Sequence, residues 1–375
     1  MQSERLNRGI LAEISEKNEH FAEKMDFSPY LTHYEAFAHL NALSIAPMVD
    51  HTDRHCRRLL RLIAPKATLY TEMLVAQAIV YGNADRILKF STVEQPVIAQ
   101  IAGADPSIVG DATQIVAEFG YDAVNFNVGC PSKRVKSGGF GACLMERPGE
   151  VFAIVRAMKQ ASELPVTVKC RLGTDRVSGY EQLLAFAKGL ADCGVDGIIV
   201  HARIANLSGA STRYNLNVPP LDWEMVKRLQ HDVPDITFTL NGGLIDVSHI
   251  EQVRSWIDRV MVGRIALNRP DILASMHASV YGELKDYSPW HIAKRYREYM
   301  VEQLELAVPL RAMTRHMLSL FHGVQGAKRF RQHLSTHANR PEATIETFDD
   351  AMENLVKSAS IRSTELREPD VHLIA

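Results

Sequence analysis

Between residues 43 and 266, short apolar runs alternate with stretches whose apolar positions recur every three or four residues. The apolar runs are Leu43–Met48, Ala67–Met73, Val97–Ala102, Ala123–Val128, Val166–Arg171, Gly197–Ala202, Thr237–Asn241 and Arg259–Val262, most with Gly, Pro or a polar residue at or near the end. Runs of this length predict strands buried on both faces, as in a parallel sheet covered by helices. The intervening stretches carry the core-facing spacing of helices, as in Leu183, Leu184, Phe186, Ala187, Leu190 and Ala191, with Gly194 placed to end that helix. Eight strand–helix units predict a (β/α)8 barrel of the TIM type, an α/β fold, rather than an open sheet. One strand entry recurs as Gly120-Tyr121-Asp122-Ala123, Gly194-Val195-Asp196-Gly197 and, more loosely, Trp256-Ile257-Asp258-Arg259. Past about residue 285 the strand pattern stops, and Trp290 to His333 and then Ala343 to Ser358 read as helices with apolar stripes. The expected organisation is a polar extension over 1–40, a barrel over 41–285, a small helical domain over 286–360 and a tail over 361–375.

A chain of 375 residues with 46% hydrophobic content has room for a barrel of about 250 residues and a smaller partner. No apolar run approaches the roughly 18 residues of a membrane span, and the first 30 residues are too acidic for a signal or transit peptide, so a cytoplasmic protein is expected. The five cysteines are odd in number and lack metal-ligand spacing, which predicts neither a disulfide framework nor a metal site. The formal charge of −2 conceals an asymmetry: residues 291–340 carry nine Lys/Arg against three Glu, while residues 341–375 carry eight acids against three bases. A basic block beside a neutral barrel is a candidate footprint for phosphate groups, with a solvated helix face as the plainer alternative.

In a barrel of this type the reacting groups sit at the carboxyl ends of the strands. Cys130 follows the fourth strand at a Gly-Cys-Pro corner, Lys169 and His201 end the fifth and sixth, and Gln100 ends the third. Glycine corners, Asn241-Gly242-Gly243 and Gly263-Arg264, follow the seventh and eighth strands, where this fold commonly holds phosphate. Together they describe a site for a planar, hydrogen-bonding heterocycle with a phosphate tail, best met by flavin mononucleotide. Lys169 would offset charge on the reduced ring, Gln100 would pair with its pyrimidine edge, and Pro47, Met48 and Val49 would pack along it.

At this level of detail the chain resembles the A-type tRNA-dihydrouridine synthases over residues 43–335. The resemblance is carried by Ala46-Pro47-Met48, Thr52-Asp53-Arg54-His55-Cys56-Arg57, Asn125 to Ser132, Gly141-Ala142-Cys143-Leu144-Met145, Val168-Lys169, His201-Ala202-Arg203, Pro219-Pro220-Leu221-Asp222 and Asn241-Gly242-Gly243. It implies an FMN barrel with a helical tRNA-binding domain that reduces D-loop uridines, typically 20 and 20a, with NADPH as reductant. Hydride would pass from reduced flavin to uracil carbon 6 and a proton from Cys130 to carbon 5. Pro47 to Val49, Gln100, Lys169, His201, Asn241 to Gly243, Gly263 and Arg264 would bind FMN. Asn127, Arg213, Lys328, Arg329 and Arg331 fall where the family touches tRNA. The chain departs from the family at Ile204 and Asn206, where Lys and Trp are usual, at Leu216, where Arg is usual, and at His51, where Trp is usual.

Cys143 is the rival proton donor, although its place after the Ser137-Gly138-Gly139 turn reads as packing. Two other functions stay open at this point. One is a flavin barrel acting on a free small molecule, as a dihydroorotate dehydrogenase does; the other is a tRNA-binding chaperone without chemistry.

Overall fold

The computed structural model describes residues 42–282 and 287–365, all within one compact unit, Leu40–Ala375. The expected 1–40 extension and residues 366–375 of the tail lie outside the described residues.

Eight strands form one parallel sheet: β1 (Leu43–Ile45), β2 (Leu69–Val75), β3 (Val97–Ala102), β4 (Ala123–Asn127), β5 (Val166–Arg171), β6 (Gly197–His201), β7 (Phe238–Asn241) and β8 (Val260–Val262). Neighbours follow the order β1-β8-β7-β6-β5-β4-β3-β2. Ser44 bridges Thr68 in parallel, and the Ile45 amide donates to the Thr68 carbonyl at 2.9 Å, so the first strand also meets the second and the barrel closes. Every residue of β1, β3, β4, β6, β7 and β8 is buried, which is why these strands read as largely apolar runs broken only by single polar positions. Six strands begin or end one to three residues inside the predicted runs, and β2 also continues two residues past its run, because the pairing register, not the apolar run, sets where the ladder stops.

The repeated Asp at strand entries has a concrete role. Asp122 accepts from the Val97 amide at the head of β3, and Asp196 accepts from the Val166 amide at the head of β5, each at 2.7 Å. Each carboxylate thus satisfies an N–H that no strand partner reaches at the sheet margin.

Beyond β8 the chain is helical, over Pro270–Tyr281, Pro289–Glu305, Leu310–Thr314, Ala327–His337 and Ile345–Glu365. The predicted run from Trp290 to His333 is interrupted twice: after Glu305, and again between Thr314 and Ala327, where Gly323 and Gly326 adopt positive φ of 80° and 86° that ends helical propagation. These helices seat on the barrel's first helix, Arg54–Ile63. Tyr296 donates to the His55 carbonyl at 2.9 Å, and the Arg315 guanidinium meets Asp53, the N-cap of that helix, at 2.6 Å. Arg57 and Glu94, 4% and 3% exposed, form a buried ion pair at 2.7 Å beneath that contact.

Candidate active site

The polar groups at the strand ends converge on the carboxyl mouth of the barrel, and a chain of side-chain hydrogen bonds fixes their geometry. Asn127, the last residue of β4, accepts at Oδ1 from the amides of Gly129 (3.2 Å) and Cys130 (3.0 Å). Its Nδ2 donates to Gln100 Oε1 at 2.8 Å; Gln100 Nε2 donates to Asn125 Oδ1 at 2.7 Å; Asn125 Nδ2 donates to Thr167 Oγ1 at 2.8 Å. A bulge in β2 between Tyr70 and Met73 frees the Thr71 hydroxyl to accept from the Gln100 amide at 3.0 Å. The corner bearing the thiol is therefore shaped by polar residues on four neighbouring strands, β2 to β5.

Cys130 is half-buried, its Sγ 3.6 Å from the Ser132 hydroxyl, and its carbonyl accepts from the Ala142 amide at 2.9 Å. Gly141 permits that approach: its φ is +77°, and a Cβ there would fall 2.7 Å from the Cys130 oxygen and 2.4 Å from Val135. Arg171, which ends β5 and is 2% exposed, donates to the Gly129 carbonyl at 2.8 Å and to the Asn215 carbonyl at 3.1 Å. Burial lowers this guanidinium to about 10. Cys143 lies in the 3-10 helix Gly141–Glu146 with its Sγ against the Phe140 carbonyl at 3.1 Å, and burial raises its pKa. The five cysteines are free thiols.

On the far side of the mouth the Lys169 ammonium donates to Asn241 Oδ1 at 2.9 Å, while Asn241 Nδ2 donates to the Met261 carbonyl at 2.8 Å. Burial, with Arg171 close by, lowers Lys169 to about 8. His201 is held well below the ordinary histidine range, first by burial and then by Arg171 and Lys169, so its ring is neutral near pH 7. Its edge packs on Gly242, where a Cβ would fall 2.5 Å from the ring, and Gly242 and Gly243 both have positive φ, 100° and 80°. At Gly263 neither reason for glycine applies: its φ is not positive, and no atom lies within 4 Å of where a Cβ would stand. Arg264, exposed beside it, donates to Asn217 Oδ1 at 2.8 Å and thereby joins the β8 loop to the β6 loop. Met48 is fixed at the end of β1 by Thr52, whose hydroxyl accepts from its amide at 3.0 Å; Pro47 is partly buried and Val49 is 50% exposed.

The geometry thus brings together Cys130, Asn127, Gln100, Lys169, His201, Asn241 to Gly243, Gly263, Arg264 and the Pro47 to Val49 loop. Arg213 is exposed on the β6–β7 connection, in the helix Thr212–Asn217. Lys328, Arg329 and Arg331 are exposed on the helix Ala327–His337, where Lys328 and Arg331 line an open cleft with the loop from His322 to Gly326. Arg171, Asn125, Thr167 and Asn215 escape a reading by sequence alone. The signal available for the first three was a polar residue at an alternate position inside an otherwise apolar strand.

This donor set fits a flavin phosphate and ring. Gly263 leaves its backbone open to close approach, Lys169 supplies a cation inside the mouth, and the glycine turn after β7 presses a neutral imidazole inward. Among the described residues, no group of three or more His, Cys, Asp or Glu could hold a metal ion. The class that fold and site define is an oxidoreductase barrel built around FMN.

Residues 44–358 match the family model described as Dihydrouridine synthase (Dus), and the chain belongs to that family. It is 42% identical to a tRNA-dihydrouridine(20/20a) synthase of Xanthomonas campestris pv. campestris, over 84% of this chain and 94% of the relative. It is also 42% identical to a protein of the same name from Synechocystis sp., over 86% and 97%, and 40% identical to one from Escherichia coli K12, over 82% and 90%.

Proposed function

We propose that this protein reduces uridine to 5,6-dihydrouridine in the D-loop of tRNA, at positions 20 and 20a, with NADPH as reductant. The observation that carries this reading is the Cys130 corner, held at the end of β4 by Asn127 and Arg171 and facing the mouth that Lys169, His201 and Asn241 line.

FMN, when bound, supplies the hydride that goes to uracil carbon 6. Lys169, His201, Asn241 to Gly243, Gly263 and Arg264 would hold it, with Pro47, Met48 and Val49 against the ring. The amide of Gln100, spent partly on Asn125 and Asn127, keeps one N–H and one lone pair for a ring edge. Cys130 holds a proton at Sγ and gives it to carbon 5. Arg171 and Lys169, two cations beside it, stabilise the thiolate left behind. The uridine must leave the RNA stack to reach this depth, at a cost of a few kcal/mol. Helices over 286–360, with Lys328, Arg329 and Arg331, form a tRNA-binding domain, and Asn127 and Arg213 meet the RNA at the mouth. A tRNA-modifying enzyme of this kind works in the cytoplasm.

The test is mass spectrometry of nucleosides from tRNA lacking dihydrouridine, after incubation with the protein, FMN and NADPH, with the product mapped to its position. Dihydrouridine at 20 and 20a is the expected result. Product elsewhere would trace the change to Ile204, Asn206 and Leu216, while reduction of free pyrimidines without tRNA would overturn the reading.

A further inference from the structure

The segment that follows Cys130 faces the loop after β6 across a cleft of about 350 Å3. Pro131, Lys133 and Lys136 form one wall and Leu207, Gly209 and Ala210 the other. The walls are tied: Lys136 Nζ donates to the Leu207 carbonyl at 2.9 Å, and Asp175 supports the far side by accepting from the amides of Leu207 (2.7 Å) and Ser208 (3.2 Å). Gly209 keeps its side open, since a Cβ there would meet no atom within 4 Å. Lys133, Arg134 and Lys136 are all exposed on the short helix Lys133–Ser137, so three cations stand in four residues immediately beyond the thiol corner. Neither the proton transfer nor the flavin contacts use any of them.

We propose that this cleft binds the nucleotide adjoining the reacting uridine, its phosphate on Lys133 and Lys136 and its base or sugar against Pro131, Leu207 and Ala210. The inference rests on the tRNA reading above. A uridine delivered to Cys130 brings its neighbours on a covalent tether, and the cleft begins at Pro131, the next residue. Its volume lies at the lower end of the roughly 300–1,000 Å3 of small-ligand sites, which suits one nucleotide better than a dinucleotide coenzyme. Cations tracking the backbone are one part of the pattern by which proteins hold single-stranded nucleic acid, and here Pro131, Leu207 and Ala210 supply an apolar floor in place of aromatic platforms. Lys136 keeps two N–H donors after its bond to Leu207.

The experiment measures binding of unmodified tRNA to wild type, Lys133→Ala, Lys133→Glu and Lys133→Arg proteins across a series of KCl concentrations, with KM for tRNA and for NADPH alongside. For Lys133→Ala the slope of log affinity against log salt falls by about 0.7 to 0.9, the share of one phosphate contact. Its KM for tRNA rises by about three- to tenfold, Lys133→Glu exceeds it, and Lys133→Arg restores the wild-type slope. A wild-type slope and KM for tRNA in Lys133→Ala would overturn the proposal. A raised KM for NADPH with an unchanged tRNA slope would also overturn it, giving the cleft to the coenzyme. The slope is read from binding alone, so failure of wild type to form dihydrouridine would count against the tRNA reduction and not against the cleft.

Discussion

Replacing Asn127 tests whether the thiol corner is held by the side chains beneath it. Asn127→Ala removes an acceptor shared by the Gly129 and Cys130 amides and a donor to Gln100 Oε1. The two amides lie near the mouth, where water can serve them, whereas Gln100 is 1% exposed and its oxygen is left without that donor. An unsatisfied buried group costs about 1–3 kcal/mol and the two amides together add about 1, so the loss of stability comes to about 3 kcal/mol. Turnover should suffer more than stability implies, because displacement of a reacting group by about 1 Å can cost roughly a hundredfold in rate. Asn127→Asp separates the two effects: it keeps the acceptor for both amides but sets a carboxylate oxygen against Gln100 Oε1. Denaturant unfolding should show comparable destabilisation in both variants, while single-turnover reduction of tRNA is slowed about a hundredfold by Ala and about tenfold by Asp. Equal rates in the two variants, or an Ala variant as stable as wild type, would refute the argument.

Other outcomes follow from the same contacts. Cys130→Ala should retain FMN binding, read by its absorbance, and lose tRNA turnover, whereas Cys143→Ala should keep most of it; the reverse pattern would move the donor to Cys143. Lys169, lowered to about 8 in the folded chain, loses its charge as pH rises through that value, so FMN affinity by fluorescence titration should fall above pH 8. Lys169→Met should flatten that dependence. The same shift gives a sign for stability: between about 8 and the ordinary lysine value the unfolded chain binds more protons, so this residue adds stability to the flavin-free protein as pH rises across that window. Arg57→Ala strands buried Glu94 and should cost about 3–5 kcal/mol in denaturant unfolding without changing KM for tRNA.

The strands were legible because most are buried on both faces and so read as largely apolar runs, and Cys130, Lys169 and His201 were legible as polar breaks at or near the ends of such runs. What stayed hidden depends on register between strands that are distant in sequence. Asn125 lies opposite Thr167 and Gln100 opposite Asn125 only because β3, β4 and β5 pair as they do. Arg171 gave no local sign that its guanidinium would reach back to Gly129 and across to Asn215. Arg57 illustrates the converse, since it stands in a motif shared with the family yet its partner is a buried carboxylate beneath the helices and not the reaction site. The interruption between Thr314 and Ala327 was missed because the surrounding residues keep helical spacing, and two glycine φ values decide the matter.

The amide chain beneath the mouth points one way. Asn127 gives to Gln100, Gln100 to Asn125, Asn125 to Thr167, and the Thr167 hydroxyl to the Val124 carbonyl at 3.4 Å. No amide in this sequence can turn over alone without setting oxygen against oxygen, so the side chains hold their orientation as a group. The Gly129 and Cys130 amides, which can only donate, decide which end of Asn127 faces the thiol, and the rotatable Thr167 hydroxyl completes the run at its other end. A one-way run of donors thus ties β3, β4 and β5 together beneath the Cys130 corner, with a threonine two strand positions before Lys169 at its far end.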